Sequence, residues 1–280
     1  MRHNSSPTKE ESEPSEPQSH GESDVSTPIP SARSVGTTSS PTTEVSRIPM
    51  PRLLSIWRSL TPTQRALYLP LLMAMKSPLY WLMNMTKTLD EQDAVNPYKP
   101  FPDYTYFRQI YAAWLVESVL FIEKSRTMML SWLFAGLCLH FAMKRRATRI
   151  IFGGPDEERA LQPLNYARIL WASQAEPLKD AWPLDRPMEH QSYNTLELGN
   201  DSSLVALPGK DPDRIRKEHP TVVLFDQAAI IERFSESYGV ALAARPLKIV
   251  AITSAKPGDF RTLTKKAKPV DWPYVSYVEE

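Results

Sequence analysis

Cysteine is almost absent from this sequence. Its 280 residues include one cysteine, Cys138, which lies in an apolar segment. A single thiol excludes an intramolecular disulfide and a metal site built from several cysteines. We therefore expect a protein of a reducing compartment, the cytoplasm.

Apolar runs long enough to cross a membrane are also lacking. Residues 66–85 are interrupted by two prolines and a lysine. Residues 127–143 carry no charge, but a length of about 17 residues is at the lower limit for a membrane span. This second segment also contains His140 and directly follows a predicted strand. We interpret it as a buried helix, with His140 as a core residue, and expect no membrane partner.

Charge of neither sign is in excess. The net charge is +1, and residues 1–50 carry four basic against seven acidic residues, so the rest of the chain is mildly basic. Many enzymes of similar charge bind no nucleic acid. Charge alone therefore gives only weak support for a nucleic-acid partner.

Large apolar residues are nearly missing from residues 1–50, which are rich in Ser, Thr, Pro and Glu. Such a segment cannot offset the entropy lost on ordering, and it lacks the apolar core of a signal peptide. We predict a disordered tail over residues 1–50, a helical segment broken by prolines over residues 51–98, and a folded domain over residues 99–280.

Short apolar runs alternate with helical segments in that folded domain. The runs cover residues 119–123, 148–152, 221–225 and 248–252, the helices residues 104–118, 128–143, 156–172 and 232–243, and a hairpin residues 194–198 and 203–207. This alternation predicts an α/β fold with a mostly parallel sheet flanked by helices. Ligands of such sheets bind at the carboxyl ends of the strands, so the polar residues there are of most interest.

The first strand end is EKSRTMMLS, residues 123–131. In a Walker A loop, G-x-x-x-x-G-K-[ST], amides cradle phosphates, a lysine reaches them and a hydroxyl binds Mg²⁺. Ser131 takes the place of the hydroxyl, but Lys124, Met129 and Leu130 stand where Gly, Gly and Lys belong. A lysine at the loop start, beside Arg126, can still reach phosphates at a helix N-terminus, whose free amides attract anions. The alternative is a solvated basic turn before a core helix.

The second strand end is PTVVLFDQAA, residues 220–229. Four apolar residues followed by Asp226 are typical of a Walker B strand, whose aspartate holds Mg²⁺, usually through water. The next position normally supplies a glutamate that accepts a proton from the attacking water, but here it is Gln227. An amide orients water without accepting its proton, so a loss of about 10²–10⁴-fold in turnover is expected. The alternative is an ordinary loop that begins with aspartate.

The third strand end is IVAITSAKPGDF, residues 249–260. Its Thr253 and Ser254 resemble the sensor or coupling motif of translocating ATPases, in which a hydroxyl responds to the γ-phosphate. Polar strand ends are common, so this motif alone is weak.

Taken in order and spacing, these segments resemble the large terminase subunit of tailed bacteriophages and prophages, the ATPase that packages viral DNA. KSRTMMLSW is similar to the family's deviant Walker A loop, and LFDQAA is similar to its L-F-D-E-A-A. ALPGKDPDRIRKEHP is similar to the segment that precedes Walker B. KPFPDYTYFRQIY, which includes Gln109, occupies the place of the adenine-side motif. The resemblance covers roughly residues 99–260.

The resemblance implies a P-loop NTPase-like ATPase domain that uses ATP and Mg²⁺. It implies double-stranded DNA as a partner, a homo-oligomeric ring, and contacts with portal and small terminase subunits in the host cytoplasm. Asp226 and Ser131 are the expected metal ligands, and the expected catalytic residues are Gln227, Arg216, Thr253 and Ser254. The expected nucleotide contacts are Lys124, Ser125, Arg126, Thr127, Met128, Met129, Leu130, Ser131 and Gln109.

Arg216 matches a family arginine implicated in completing the site of a neighbouring subunit. We predict that it lies on a loop between the turn PGKDP and Pro220, from which it projects away from its own sheet. The alternative is a surface ion pair with Asp213 or Glu218.

Two departures from the family change the expected activity. Gln227 replaces the catalytic glutamate, so hydrolysis is expected to be impaired while nucleotide binding remains. Large terminases also continue into a nuclease domain with clustered acidic ligands, and the sequence to Glu280 contains no such cluster. We expect an ATPase fragment or a gene truncated after the motor domain, without DNA cleavage. Alternatives are a non-enzymatic nucleotide- or DNA-binding remnant of a decayed prophage and another P-loop translocase.

Overall fold

An α/β sheet flanked by helices organises the part of the chain that the structure, a computed structural model, describes: residues 58–125, 127–254 and 258–266. The predicted tail over residues 1–50 lies outside these residues, and so does Arg126. The fold class predicted from the sequence is confirmed.

Two helices and a small hairpin precede the sheet. Helix α1 (Pro62–Lys76) begins at a capping box formed by Thr61 and Gln64, and helix α2 (Pro78–Met85) begins at the hydroxyl cap of Ser77. Pro62 and Pro78 thus stand at first helical positions, where a missing N–H is not needed. Pro70 lies inside α1 without ending it, so the predicted break there is wrong. Strands β1 (Lys87–Leu89) and β2 (Tyr98–Pro100) then pair antiparallel. This hairpin was not predicted, because helices that end in a loop, DEQDAVNPYKPFPD, were expected here.

The main sheet has six strands in the order β3-β8-β7-β4-β6-β5. They are β3 (Val119–Lys124), β4 (Arg149–Gly154), β5 (Thr195–Glu197), β6 (Ser203–Pro208), β7 (Val222–Asp226) and β8 (Lys248–Ser254). All neighbouring strands are parallel except β5, which pairs antiparallel with β6. The predicted parallel sheet and its hairpin are both confirmed, with strand bounds within two residues of those expected.

Helices cover both faces of this sheet. One face packs against helices α2, α3 (Thr105–Val116), α4 (Leu130–Lys144) and α5 (Glu157–Ser173). Helix α6 (Glu176–Ala181) follows α5. The other face packs against α7 (Pro212–Lys217), α8 (Phe234–Ala243) and α9 (Asp259–Lys266). Because successive strand residues point to opposite faces, Ile150 and Phe152 belong to the first layer and Ile151 to the second.

Helix α4 is buried along almost its whole length, as predicted for residues 127–143. His140 is 3% exposed, and its Nε2 lies 2.9 Å from the carbonyl oxygen of Ala74. Burial lowers the pKa of His140 to about 4, so the ring is neutral at physiological pH. His140 is thus a core residue, as expected. Within the described ranges, no helix is long and apolar enough to cross a membrane.

Candidate functional site

A cavity of about 410 Å³ lies where the carboxyl ends of β3, β8, β7 and the turn after β4 meet. Seven of the residues proposed from the sequence line it, together with two that were not proposed. The lining residues are Lys124, Thr127, Ser131, Arg159, Asp226, Gln227, Ile230, Thr253 and Ser254. The three strand ends selected in the sequence therefore face one common space.

The loop between β3 and α4 adopts left-handed backbone conformations without glycine. Thr127 has φ of 68° and Met129 has φ of 51°. A non-glycine residue in this region costs about 1–3 kcal/mol and persists where the surroundings hold it. Met129 stands where the Walker A pattern has its second glycine, so the glycine-like conformation is kept although the residue type is not. Tyr106 of α3 donates its hydroxyl to the Met128 carbonyl at 2.9 Å and braces the loop.

Asp226 is a buried carboxylate that lines the cavity, 3% exposed. The Gln227 N–H donates to its Oδ1 at 2.8 Å, and Ser131 hydrogen-bonds its side chain. Burial raises the pKa of Asp226, while the Ser131 hydrogen bond, the charge of Lys124 and the Gln227 N–H oppose that rise. The Asp226 carboxylate therefore links the end of β7 to helix α4, which follows β3.

The pair formed by Asp226 and Ser131 fits Mg²⁺. This ion is commonly held by one or two protein oxygens together with waters and substrate phosphates. The described ranges contain no group of three or more His, Cys, Asp or Glu side chains suited to a metal, so a dedicated all-protein cage is absent there. One carboxylate beside one hydroxyl, open to a cavity, is the donor set expected when phosphates complete the coordination.

We expect Asp226→Asn to stabilise the ligand-free protein and to abolish its stabilisation by Mg²⁺ and ATP. Because burial raises the pKa of Asp226, its contribution to folding stability is present at low pH and is lost as the pH rises through the folded pKa. A neutral amide avoids that loss, so a higher Tm is expected at neutral pH. Thermal unfolding with and without Mg²⁺ and ATP measures both effects.

The matched control for this prediction is Asp180→Asn. Asp180 is exposed on α6 and makes no ion pair with a described residue. We expect that change to leave the Tm and the ligand-induced shift as in the wild type. A fall in Tm for Asp226→Asn would show instead that the contacts with Ser131, Lys124 and Gln227 outweigh burial.

Thr253 connects β8 to the turn that follows Asp226. Its side chain is buried, and its Oγ1 accepts the Ala229 N–H at 3.2 Å and donates to the Ser254 carbonyl at 3.1 Å. Gln227 begins this turn in a left-handed conformation, with φ of 57°. Through these hydrogen bonds, a shift of the turn at Gln227 would displace the end of β8, the strand between β3 and β7.

Arg159 and Ile230 line the cavity but were missed in the sequence. Arg159 lies in the first turn of α5, where its N–H donates at 2.8 Å to the capping side chain of Asp156. Gly154 lets this helix approach the sheet, because a Cβ there would lie 2.5 Å from the backbone nitrogen of Ala160. The paired glycines at the end of β4, followed by an Asp cap and an arginine, were the signal available in GGPDEER.

Gln109 and Arg216 do not line the cavity. Gln109 is half-buried on α3, one turn from Tyr106, and its predicted role at the adenine remains a prediction. Arg216 is exposed on the short helix α7, so the predicted loop at this position is wrong. Pro212 at the first helical position and the Asp211 cap start that helix. Arg216 makes no ion pair with a described residue, and Glu218 pairs with Arg149 instead.

The remaining predicted contacts among the described residues lie on the loop itself. Ser125 is exposed, Met128 and Met129 are half-buried and Leu130 is 1% exposed in the core. None of the four side chains lines the cavity. Any part they play in binding a ligand would be through the backbone of the loop.

Comparison with known proteins finds similarity at the level of fold. No family model and no curated protein matches the sequence. The ATPase domain of the large terminase of Thermus phage P74-26 is 14% identical, with 58% of this chain and 69% of that chain covered and a TM-score of 0.42. The HK97 bacteriophage large terminase is 14% identical, with 65% and 38% covered and a TM-score of 0.47.

A third similar structure is a large terminase from another thermophilic bacteriophage. It is 14% identical, with 54% of this chain and 39% of that chain covered and a TM-score of 0.42. The chain therefore spans about two fifths of the HK97 terminase and of this third protein. These proteins are of the family that the sequence resembles, and at such low identity the likeness is one of fold alone.

Proposed function

We propose that this chain is an ATP-binding motor domain whose site is the cavity at the strand ends. The observation that carries the proposal is the meeting of Ser131, Asp226 and Lys124 in one space. A hydroxyl and a buried carboxylate suit Mg²⁺, and a lysine at the start of a loop before a helix N-terminus suits phosphates. A magnesium nucleoside triphosphate requires both, ligands for its metal and cations or amides for its phosphates.

Each residue of the cavity has a distinct task in this proposal. Lys124 and the amides of the following loop bind phosphate oxygens, and Ser131 and Asp226 hold the metal. When bound, Mg²⁺ neutralises charge on the phosphates. Gln227 orients a water without accepting its proton. Thr253, through its bond to the Ala229 N–H, passes a change at that turn to β8.

We propose that this domain functions in viral DNA packaging. The likeness of KSRTMMLSW and LFDQAA to segments of large terminases supports it. The proposed partners are double-stranded DNA, further copies of the chain in a ring, and portal and small terminase subunits. The exposed position of Arg216, outside its own cavity, suits a role towards a neighbouring copy.

A second candidate is a nucleotide- or DNA-binding protein that does not turn over ATP. Gln227 favours it, because a neutral amide lines the cavity next to Asp226 where a proton acceptor is needed. Binding of ATP together with no phosphate release at any protein concentration, with or without DNA, is the result that distinguishes this candidate from an impaired motor.

Lys124→Ala tests the proposed site directly. We expect the affinity for Mg²⁺ and ATP to fall about tenfold to a hundredfold, because a charge-assisted contact with phosphate is lost. Isothermal titration calorimetry measures the change. Lys144→Ala, at the other end of α4, removes the same charge outside the cavity and should leave affinity unchanged. Equal affinity in the wild type and in Lys124→Ala would show that Lys124 does not bind the phosphates, and would favour Arg126 for that role.

A further inference from the structure

Two cationic side chains are among the described residues that line the cavity, and they come from different parts of the fold. Lys124 ends β3, whereas Arg159 follows β4 in the first turn of α5. Strands β8 and β7 lie between β3 and β4. Since neighbouring strands are spaced about 4.8 Å apart, the ends of β3 and β4 are roughly 14 Å apart. The end of β7, which carries Asp226, lies between those two strand ends.

The contacts of Arg159 leave its guanidinium available to an anion. Its one ion pair with a described residue is to Asp156 at 3.6 Å, and the side chain is 45% exposed. An exposed pair of this kind contributes little to stability, so a phosphate can replace it with little loss. The planar guanidinium also binds phosphate through two parallel hydrogen bonds, which the lysine ammonium does not.

The Walker A position whose lysine reaches the last phosphates carries no cation in this chain. Leu130 stands where the Walker A pattern has lysine, and it is 1% exposed in the core. Lys124 sits at the start of the loop, on the β3 side of the metal-binding pair. Among the described residues that line the cavity, the positive charge beyond Asp226 comes from Arg159.

We propose that Arg159 contacts the terminal phosphate of a nucleoside triphosphate and makes the site prefer triphosphate over diphosphate. The inference rests on the proposed nucleotide-binding function. Lys124 and the loop amides bind the phosphates that ATP and ADP share. Ser131 and Asp226 bind the metal ion. The third phosphate extends past Asp226 towards the end of β4. There the Asp156 cap and the close approach at Gly154 hold the backbone of the helix turn that carries Arg159.

The test compares two ligands on matched variants by isothermal titration calorimetry with Mg²⁺. The ligands are the non-hydrolysable ATP analogue AMP-PNP and ADP. For Arg159→Ala we expect the AMP-PNP affinity to fall about tenfold to a hundredfold and the ADP affinity to stay within about twofold. Arg159→Lys should restore part of the loss, since the charge remains and the paired hydrogen bonds do not. For Lys124→Ala, both affinities should fall.

The matched control is Arg146→Ala, which removes an exposed arginine just before β4, at the opposite edge of the sheet. It should change neither affinity. Alanine favours helix, so Arg159→Ala is expected to fold, and its Tm verifies this. Equal losses for both ligands, or no loss for AMP-PNP, would overturn the inference while nucleotide binding stands. A wild-type protein that binds neither ligand would overturn the proposed function and this inference with it.

Discussion

Arg216→Ala, made in a Gln227→Glu background, should lower ATP turnover by about 10³–10⁵-fold and leave nucleotide affinity unchanged. An arginine finger acts on charge that develops only in the transition state, so its loss appears in turnover and not in binding. Arg216 is exposed on α7, outside its own cavity and without an ion pair to a described residue. A position of this kind allows it to reach the site of another copy.

Mixing two defective variants tests whether Arg216 acts between copies. The Arg216→Ala variant keeps an intact cavity, and a Lys124→Ala variant in the same background keeps Arg216. If activity reappears in the mixture, the arginine of one copy serves the cavity of another. Arg214→Ala, two residues earlier on α7, is the matched control and should retain full turnover. A mixture that stays inactive while both variants assemble would assign Arg216 a structural role or one within its own chain.

Gln227→Glu should raise ATP turnover by at least about tenfold, since it places a proton acceptor beside Asp226. Gln227 lines the cavity directly after the metal-binding carboxylate, and its backbone N–H already donates to that carboxylate. The new side chain therefore enters at the position where attacking water is expected. A steady-state assay of phosphate release measures the gain.

Gln162→Glu is the matched control for this change. Gln162 is exposed on α5 and does not line the cavity, so the same chemical change there should leave turnover as it was. Unaltered turnover in Gln227→Glu as well would show that the glutamine is not what limits hydrolysis. The limit would then lie elsewhere, for example in a missing neighbouring subunit.

The sheet was predictable because most of its strands are short apolar runs rich in β-branched residues. Val119–Lys124, Val222–Asp226 and Lys248–Ser254 follow the apolar runs closely. Parallel strands carry their carboxyl ends to one edge, so the meeting of Lys124 and Asp226 followed from topology. What periodicity did not reveal was the hairpin of β1 and β2, since strands of three residues are too short for an alternating pattern.

Other features of the site depend on tertiary contacts or on signals that were not used. Arg159 was missed because its place in the cavity comes from the packing of α5 against the sheet at Gly154. Helix α7 was missed although Pro212 and the Asp211 cap are ordinary helix-start signals. Gln109 was proposed from resemblance alone, and sequence spacing does not give its distance from the cavity.

A structure of the protein with Mg²⁺ and AMP-PNP tests the central claim most directly. The account predicts the triphosphate in the cavity, with Lys124 and Arg159 on opposite sides of it and the metal on Ser131 and Asp226. A saturated complex in which the analogue binds elsewhere, or in which the phosphates contact none of these four residues, would contradict it.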